Sequence, residues 1–282
     1  MQIVREITAL RQAVAELRAQ GGPIAFVPTM GALHAGHMAL IGEARRLGGQ
    51  VVASIFVNPA QFAPGEDLGT YPRREASDAS MLEAAGCALL WAPDAATMYP
   101  GGHATTISVG GVSEGLDGQA RPHHFDGVAI VVAKLLNQVV PDHALFGEKD
   151  YQQLAVIRRL VTDLDLPVEI VGVPTQRDAD GVALSSRNIY LSDQERLAAR
   201  ALPRALGEAA RAIQSEAPVE QVLASARERL AAAGFDPIDY VQLCDAATLA
   251  PLTRLDRPAR ILAAGRLGKT RLIDNLPVAP VN

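Results

Sequence analysis

Two imidazoles three residues apart, His34 and His37, stand in the stretch Pro28-Thr29-Met30-Gly31-Ala32-Leu33-His34-Ala35-Gly36-His37. The stretch follows the apolar run Ile24–Val27 and precedes the amphipathic segment Met38–Leu47, an order that reads as strand, glycine-bearing turn, helix. Such a turn aims backbone N–H groups and a helix N-terminus at whatever sits above the sheet edge, which suits an anion. Gly36 removes a side chain where a flat ligand would approach the backbone. The arrangement suits a nucleotide, with histidines in place of a phosphate-binding lysine. Two other readings use the same residues. One is a turn histidine and a helix-terminal one with no ligand. The other is a zinc pair, for which the glutamate of HExxH and an obvious third ligand are both missing.

Three further polar clusters each carry a chemistry and a plainer alternative. Asn58 and Gln61, in Phe56-Val57-Asn58-Pro59-Ala60-Gln61-Phe62, can orient a neutral, hydroxyl-bearing substrate, although Asn-Pro also starts ordinary turns. In Gly147-Glu148-Lys149-Asp150-Tyr151-Gln152-Gln153, Lys149 sits at a strand-to-helix turn where its ammonium can reach phosphate oxygens; a solvated loop lysine fits the position equally well. Asp150 can cap the following helix, and Gln153 shares its face. Leu184-Ser185-Ser186-Arg187-Asn188 places two hydroxyls beside a bidentate cation, a cradle for a leaving pyrophosphate, or simply an N-cap serine with a surface arginine. Gly265-Arg266-Leu267-Gly268-Lys269-Thr270 ends like a P-loop, but Ala263 stands where that motif needs glycine, so it reads as a strand and turn.

The elements that must hold these groups are legible as a pattern. Short β-rich runs at Ile24–Val27, Val51–Val57, Ala88–Trp91, His143–Phe146 and Val168–Val173 alternate with helical patterns near Met38–Leu47, Glu75–Ala85, Asp126–Val139 and Asp150–Leu164. That alternation predicts an α/β fold, a Rossmann-like doubly wound parallel sheet with its polar clusters at the carboxyl ends of strands. After Pro174 come a polar turn, helical patterns at Asp193–Ser215 and Val219–Ala233, and strands near Asp239–Cys244 and Arg260–Leu267. The expected division is therefore a nucleotide- and substrate-binding domain over 1–175 and a smaller α+β domain over 176–282, which the resemblance given below implies carries a mobile lid loop. The chain opens with a charged helical pattern over Ile3–Gln20 rather than a basic and apolar leader.

Composition narrows the class. The 282 residues carry 26 basic and 31 acidic groups, a formal charge of −5 with no basic stripe, which disfavours general nucleic-acid binding and asks for a local anion site. No apolar run reaches membrane-spanning length, so the expectation is a soluble, cytoplasmic protein. Cys87 and Cys244 lie far apart within apolar runs and read as two buried thiols.

Taken together, PTMGALHAGH, FVNPAQF, the run Arg121-Pro122-His123-His124-Phe125-Asp126-Gly127-Val128, PDHALFGEKDYQQL, DGVALSSRNIYLS and the tail GRLGKTRLIDN closely resemble the pantoate–β-alanine ligase (pantothenate synthetase) family, part of the nucleotidyltransferase superfamily with HxGH and KMSKS-like motifs. The segments run in the family's order and cover most of the chain. The resemblance implies two steps, formation of pantoyl adenylate and pyrophosphate from ATP and pantoate, then displacement of AMP by β-alanine. It implies that His34 and His37 contact ATP phosphates, His37 being the candidate proton donor, and that Met30 to His37 line the nucleotide cleft. Gly147, Glu148, Lys149 and Asp150 match a second nucleotide segment, with Lys149 on phosphate and Asp150 near the ribose. Leu184, Ser185, Ser186 and Arg187 match the mobile loop, and Gln176 falls at an ATP-contacting position. Gln61 and Gln153 match glutamines that hold pantoate, with Asn58 and Arg121 as further substrate residues. Asp78 is placed near the Mg²⁺ that bridges ATP phosphates, indirectly, because Mg²⁺ keeps much of its water. A homodimer is implied as well.

Three positions depart from the family pattern: Gln176, where an aliphatic residue is more usual, Tyr151 before the glutamine pair, and Gln138 in place of a bulkier apolar residue. Two other functions compete. An adenylyltransferase of the same superfamily needs a basic pocket for a phosphorylated acceptor, whereas Gln61 and Gln153 suit an uncharged polyol. A nucleotide-sensing module without catalysis should have lost one of His34, His37, Lys149 or Arg187, and all four are present.

Overall fold

The computed structural model describes residues 1–63 and 65–280. Its strands are β1 (Gln2–Val4), β2 (Ile24–Thr29), β3 (Gln50–Ile55), β4 (Leu89–Trp91), β5 (His143–Gly147), β6 (Glu169–Val173), β7 (Phe235–Asp245), β8 (Ala259–Leu267) and β9 (Thr270–Val278). Its helices are α1 (Ile7–Ala19), α2 (Ala35–Arg46), α3 (Glu75–Ala84), α4 (Ala95–Met98), α5 (Asp117–Ala120), α6 (His124–Val139), α7 (Tyr151–Asp163), α8 (Asp193–Ala198), α9 (Ala201–Gln214) and α10 (Val219–Ala232). The chain divides into two compact units. The first takes Met1–Val109, Arg121–Glu148 and Val156–Pro174; the second takes Gly110–Ala120, Lys149–Ala155 and Thr175 onward.

The first unit is built on a six-stranded sheet in the order β1-β4-β3-β2-β5-β6, with every pairing parallel. Parallel strands covered on both faces read as continuous apolar runs, and Ile24, Ala25, Phe26 and Val27 are all fully buried. Ala25 and Val27 pack with Leu40, Ile41 and Ala44 of α2 and Leu82 of α3. Contacts from α1 and α6 to the sheet supply a second helix layer. The chain steps β2, β3, β4 toward one edge, then β5 returns to the other side of β2. That reversal puts the switch point between β2 and β5, the place where doubly wound sheets bind ligands. The segments leaving the carboxyl ends of these two strands start at Met30 and Glu148.

The second unit is an antiparallel sheet in the order β7-β8-β9. Leu206, Ala209 and Ile213 of α9 and Leu230 of α10 pack against Val241, Leu243, Ile261 and Ala263. Tyr240, Leu262 and Ala264 form a separate cluster with Leu116 and the half-buried Tyr151 and Ala155.

Several boundaries differ from those read in the sequence. The opening residues form an edge strand, β1, before α1, so the helical pattern over Ile3–Gln20 is only partly helix. The continuous helix over Asp193–Ser215 is two helices, α8 and α9. Pro203 has no N–H to give the carbonyl of Ala199, so one helix cannot run through, and the proline falls in the first turn of α9, where that loss is tolerated. The P-loop-like stretch is the end of β8, a turn at Gly268, and the start of β9, a strand the sequence pattern did not disclose. Cys87 and Cys244 are both free and buried, and burial pushes their thiols up to about 11 and about 12. Among the described residues no helix is long and apolar enough to cross a membrane.

Candidate active site

At the carboxyl end of β2, Thr29 turns the chain. Its hydroxyl donates to the Ser54 carbonyl (2.7 Å) and accepts from the Gly31 N–H (3.1 Å). Gly31 and Ala32 then adopt positive φ angles of 82° and 51°. A Cβ on Gly31 would lie 3.1 Å from both Asp78 Oδ2 and Ile55 Cγ2, so glycine suits the positive φ and spares both side chains a tight contact. The turn is held from α3 by Asp78, which is 2% exposed. The Ala32 N–H donates to Oδ2 (2.8 Å) and the Leu33 N–H to Oδ1 (2.9 Å). Both oxygens of Asp78 thus face backbone donors.

The two histidines form a reciprocal cap on α2. His34 is the N-cap, and its Nδ1 accepts from the Gly36 N–H (3.1 Å), while Nδ1 of His37 accepts from the His34 N–H (3.2 Å). The rings lie 4.1 Å apart between centroids. A ring nitrogen that accepts carries no proton, so each neutral ring holds its proton on Nε2. The pair therefore offers two N–H donors at a helix N-terminus, a setting that favours an oxyanion. Among the described residues no group of three or more His, Cys, Asp or Glu could hold a metal ion, which leaves the zinc reading without a ligand set.

The Asn58–Gln61 cluster follows β3 as a 3₁₀ turn over Pro59–Gln61. Asn58 is 1% exposed, and its amide is saturated. It donates to Gln61 Oε1 (3.0 Å) and the Gly127 carbonyl (3.0 Å), and accepts from the Ala60 N–H (3.2 Å) and the Tyr99 hydroxyl (2.8 Å). Asn58 orients Gln61, whose Nε2 points at Met30 Sδ (3.1 Å), a weak acceptor that a ligand oxygen can replace. Helix α6 presses directly on this turn. A Cβ on Gly127 would come within 2.2 Å of the Ala60 carbonyl oxygen, so only glycine permits the approach. Arg121 is committed to Glu66 in a bidentate pair (2.8 and 2.7 Å), and its Nη1 meets His124 Nε2 at 3.0 Å. The guanidinium can only donate, so His124 Nε2 accepts and its Nδ1–H donates to the Gln61 carbonyl (2.9 Å).

Sequence reading did not single out Tyr99, Glu66, His124 or Gly127 as members of this cluster. Tyr99 and Glu66 meet their partners only through the fold, whereas His124 and Gly127 stand in the run that begins with Arg121. Gln138 is also explained. Its Oε1 accepts from the buried Trp91 indole N–H (3.0 Å), so an amide replaces an apolar residue without leaving that donor unsatisfied.

In the second unit, Lys149 Nζ lies 3.8 Å from Asp150 Oδ1, with Lys149 mostly buried and Asp150 exposed. Gln152 and Gln153 diverge. Gln152 is buried, accepts from the Asp117 N–H (2.9 Å) and donates to the Val112 (2.9 Å) and Gly115 (2.8 Å) carbonyls. Gln153 is half-buried and has no side-chain hydrogen bond among the described residues. Tyr151 donates its hydroxyl to the Ala246 carbonyl (2.8 Å), and the Arg260 guanidinium lies 3.7 Å over its ring, which accounts for a large residue there. Ser185 caps the 3₁₀ turn Ser186–Tyr190, its Oγ accepting from the Arg187 N–H (3.2 Å). The Gln176 carbonyl accepts from the Leu184 N–H (2.9 Å), so its backbone joins the two arms of the segment.

Fold and turn together define a class, an α/β protein of the nucleotide-binding kind with an anion-directed turn at its switch point. A family described as pantoate-beta-alanine ligase matches residues 2–277. The pantothenate synthetase of Rhizorhabdus wittichii is 69% identical over 280 residues, 99% of each chain. The solved pantothenate synthetase from Thermus thermophilus superposes with a TM-score of 0.94 at 48% identity, covering 99% of this chain and 100% of that one. The pantoate-beta-alanine ligase from Francisella tularensis, complexed with beta-gamma ATP and β-alanine, superposes with a TM-score of 0.82 at 33% identity, covering 98% and 97%. The chain belongs to the pantoate–β-alanine ligase family, and it is an enzyme that forms the bond between those two substrates.

Proposed function

We propose that the chain condenses pantoate with β-alanine in two transfers at the expense of ATP. A pantoate carboxylate oxygen attacks the α-phosphorus, and the bond from that phosphorus to the β-phosphate oxygen breaks, releasing pyrophosphate. The β-alanine amine then attacks the acyl carbon, loses a proton, and the bond to AMP breaks. The reciprocal cap of His34 and His37 carries this reading, since it supplies two fixed Nε2–H donors at a helix N-terminus. Charge grows on the leaving phosphates in the first transfer, so donors that need no reorganisation stabilise it most. His37 donates its Nε2–H as a hydrogen bond to the departing pyrophosphate oxygen, and Met30, Gly31, Ala32, Leu33, Ala35 and Gly36 line the nucleotide.

Lys149 neutralises phosphate oxygens, Gly147 and Glu148 lead into it, and Asp150 meets the ribose. Ser185, Ser186 and Arg187 hold pyrophosphate, while Leu184 and Gln176 contact the nucleotide. Gln61 and Gln153 bind pantoate hydroxyl and carboxylate oxygens through amides, without adding charge. The saturated amide of Asn58 acts through Gln61. Arg121 engages substrate through the N–H groups of its guanidinium that the bonds to Glu66 and His124 do not use.

Mg²⁺ bound with ATP would serve as the counter-ion of its phosphates and would offset their charge. The residues fit that arrangement better than a resident site, because both Asp78 oxygens accept backbone N–H groups. Asp78 then bears on the metal only through the turn it holds. A homodimer in the cytoplasm completes the proposal, carried over from the family resemblance.

The test is to supply ATP, Mg²⁺ and pantoate and follow AMP and pyrophosphate with and without β-alanine. Release of AMP should rise severalfold on adding β-alanine. No stimulation in the presence of pantoate removes the ligase reading and leaves an adenylyltransferase.

A further inference from the structure

The tail motif Asp274-Asn275 sits in the middle of β9 and takes no part in the chemistry above, yet both side chains are almost completely buried, at 2% and 3% exposure. Each reaches a different loop. Asn275 Oδ1 accepts from Arg260 Nη1 (2.7 Å), and its Nδ2 donates to the backbone carbonyl of Lys149 (2.9 Å). The guanidinium can only donate, so it fixes which way the amide points and leaves Nδ2 facing Lys149. Arg260 is itself buried and stacked on Tyr151, two residues after Lys149.

Asp274 pairs bidentately with Arg177 (2.7 and 2.9 Å). The same guanidinium donates to the Gly181 carbonyl (3.0 Å). Arg177 and Gly181 belong to the turn closed by the Arg177–Ala183 bridge, whose outgoing arm runs directly into Leu184–Arg187. One strand thus anchors the backbone of the lysine segment and the base of the serine–arginine loop.

We infer that Asp274 and Asn275 are positioning residues for the adenylation step, setting the backbone from which Lys149 and Arg187 reach phosphate. The inference rests on the ligase reading, and positioning of this kind acts on rate as well as stability because misplacement of charged groups by a fraction of an ångström weakens the transition state.

Asn275→Asp is the sharpest change. It keeps an acceptor for Arg260 and replaces the donor to Lys149 with an oxygen that repels the carbonyl. The full chain is assayed by pantoate-dependent exchange of labelled pyrophosphate into ATP. Loss of one oriented hydrogen bond should lower kcat/KM for ATP about tenfold, with KM for pantoate unchanged. The double variant with Lys149→Ala should be no worse than Lys149→Ala alone, and Asp274→Asn should relate in the same way to Arg187→Ala. Ile261→Val, in the core of the same sheet, should lower Tm without changing either KM. Should the carboxylate at 275 prevent folding, Asn275→Ser removes the reach to Lys149 without adding charge and gives the same readings. Losses that add in the double variants overturn the inference and leave the ligase reading intact. If Lys149→Ala alone leaves exchange undiminished, the assignment of Lys149 falls, and the inference with it.

Discussion

Nδ1 of His34 and Nδ1 of His37 each accept a backbone N–H, and that detail converts two generic imidazoles into a defined pair of donors. Most N-caps use a hydroxyl or carboxylate oxygen; here the cap is also the functional group. The cap depends on a turn with two residues at positive φ, and that turn depends on Asp78. Asp78→Asn would set an amide N–H₂ against one of two buried N–H donors, at about 1–3 kcal/mol. The expected result is a fall in kcat of about tenfold or more, with an unchanged Mg²⁺ concentration for half-maximal rate. Initial rates measured against Mg²⁺ decide the matter, since a large shift in that midpoint would put Asp78 on the metal. None of this pairing was legible in the sequence. His34, His37 and Lys149 could be picked out by type and place in a motif, but the partners of Asp78 and Asn58 lie 46 and up to 69 residues away and are brought together only by tertiary packing.

At the scale of elements, the parallel strands were legible because burial on both faces leaves an unbroken apolar run, as in Ile24–Val27. β1 was hidden by its three-residue length beside a charged helix, and β9 by the polar Asp274-Asn275 and by Pro277 within it. The segment leading to Ser185 is pinned at its base by charge. Asp180 accepts from Arg196 (2.8 and 3.0 Å) and Arg200 (2.8 Å), and Arg196 also bonds Asp178 (2.7 Å). Hydrogen bonding from Arg196 is the main reason the Asp180 carboxyl is lowered from 3.8 to about 2. A carboxyl depressed in the folded state adds stability above its unfolded pKa and loses it as pH falls through the folded one. The Tm difference between the parent and Asp180→Asn should therefore be steady from about pH 7 to about 5 and close between about pH 4 and about 2. Thermal unfolding across that range checks it, and a difference that persists at about pH 2 would contradict the ion-pair account.

For the whole molecule, the architecture follows from one regularity, alternating strand and helix patterns with polar residues gathered at strand ends. Composition narrowed the partner class, since a charge of −5 without a basic stripe leaves only a local anion site. What composition could not supply is the assignment of that site to phosphate chemistry, which rests on the turn at the end of β2. The central claim is that this turn stabilises charge leaving the ATP α-phosphorus. The most direct measurement is pantoate-dependent pyrophosphate–ATP exchange, without β-alanine, by the parent and by His37→Ala. The account predicts that His37→Ala lowers the exchange rate by about 10²–10³-fold, the scale of losing a fixed oxyanion donor, with an unchanged circular dichroism spectrum. An exchange rate equal to the parent's would contradict it.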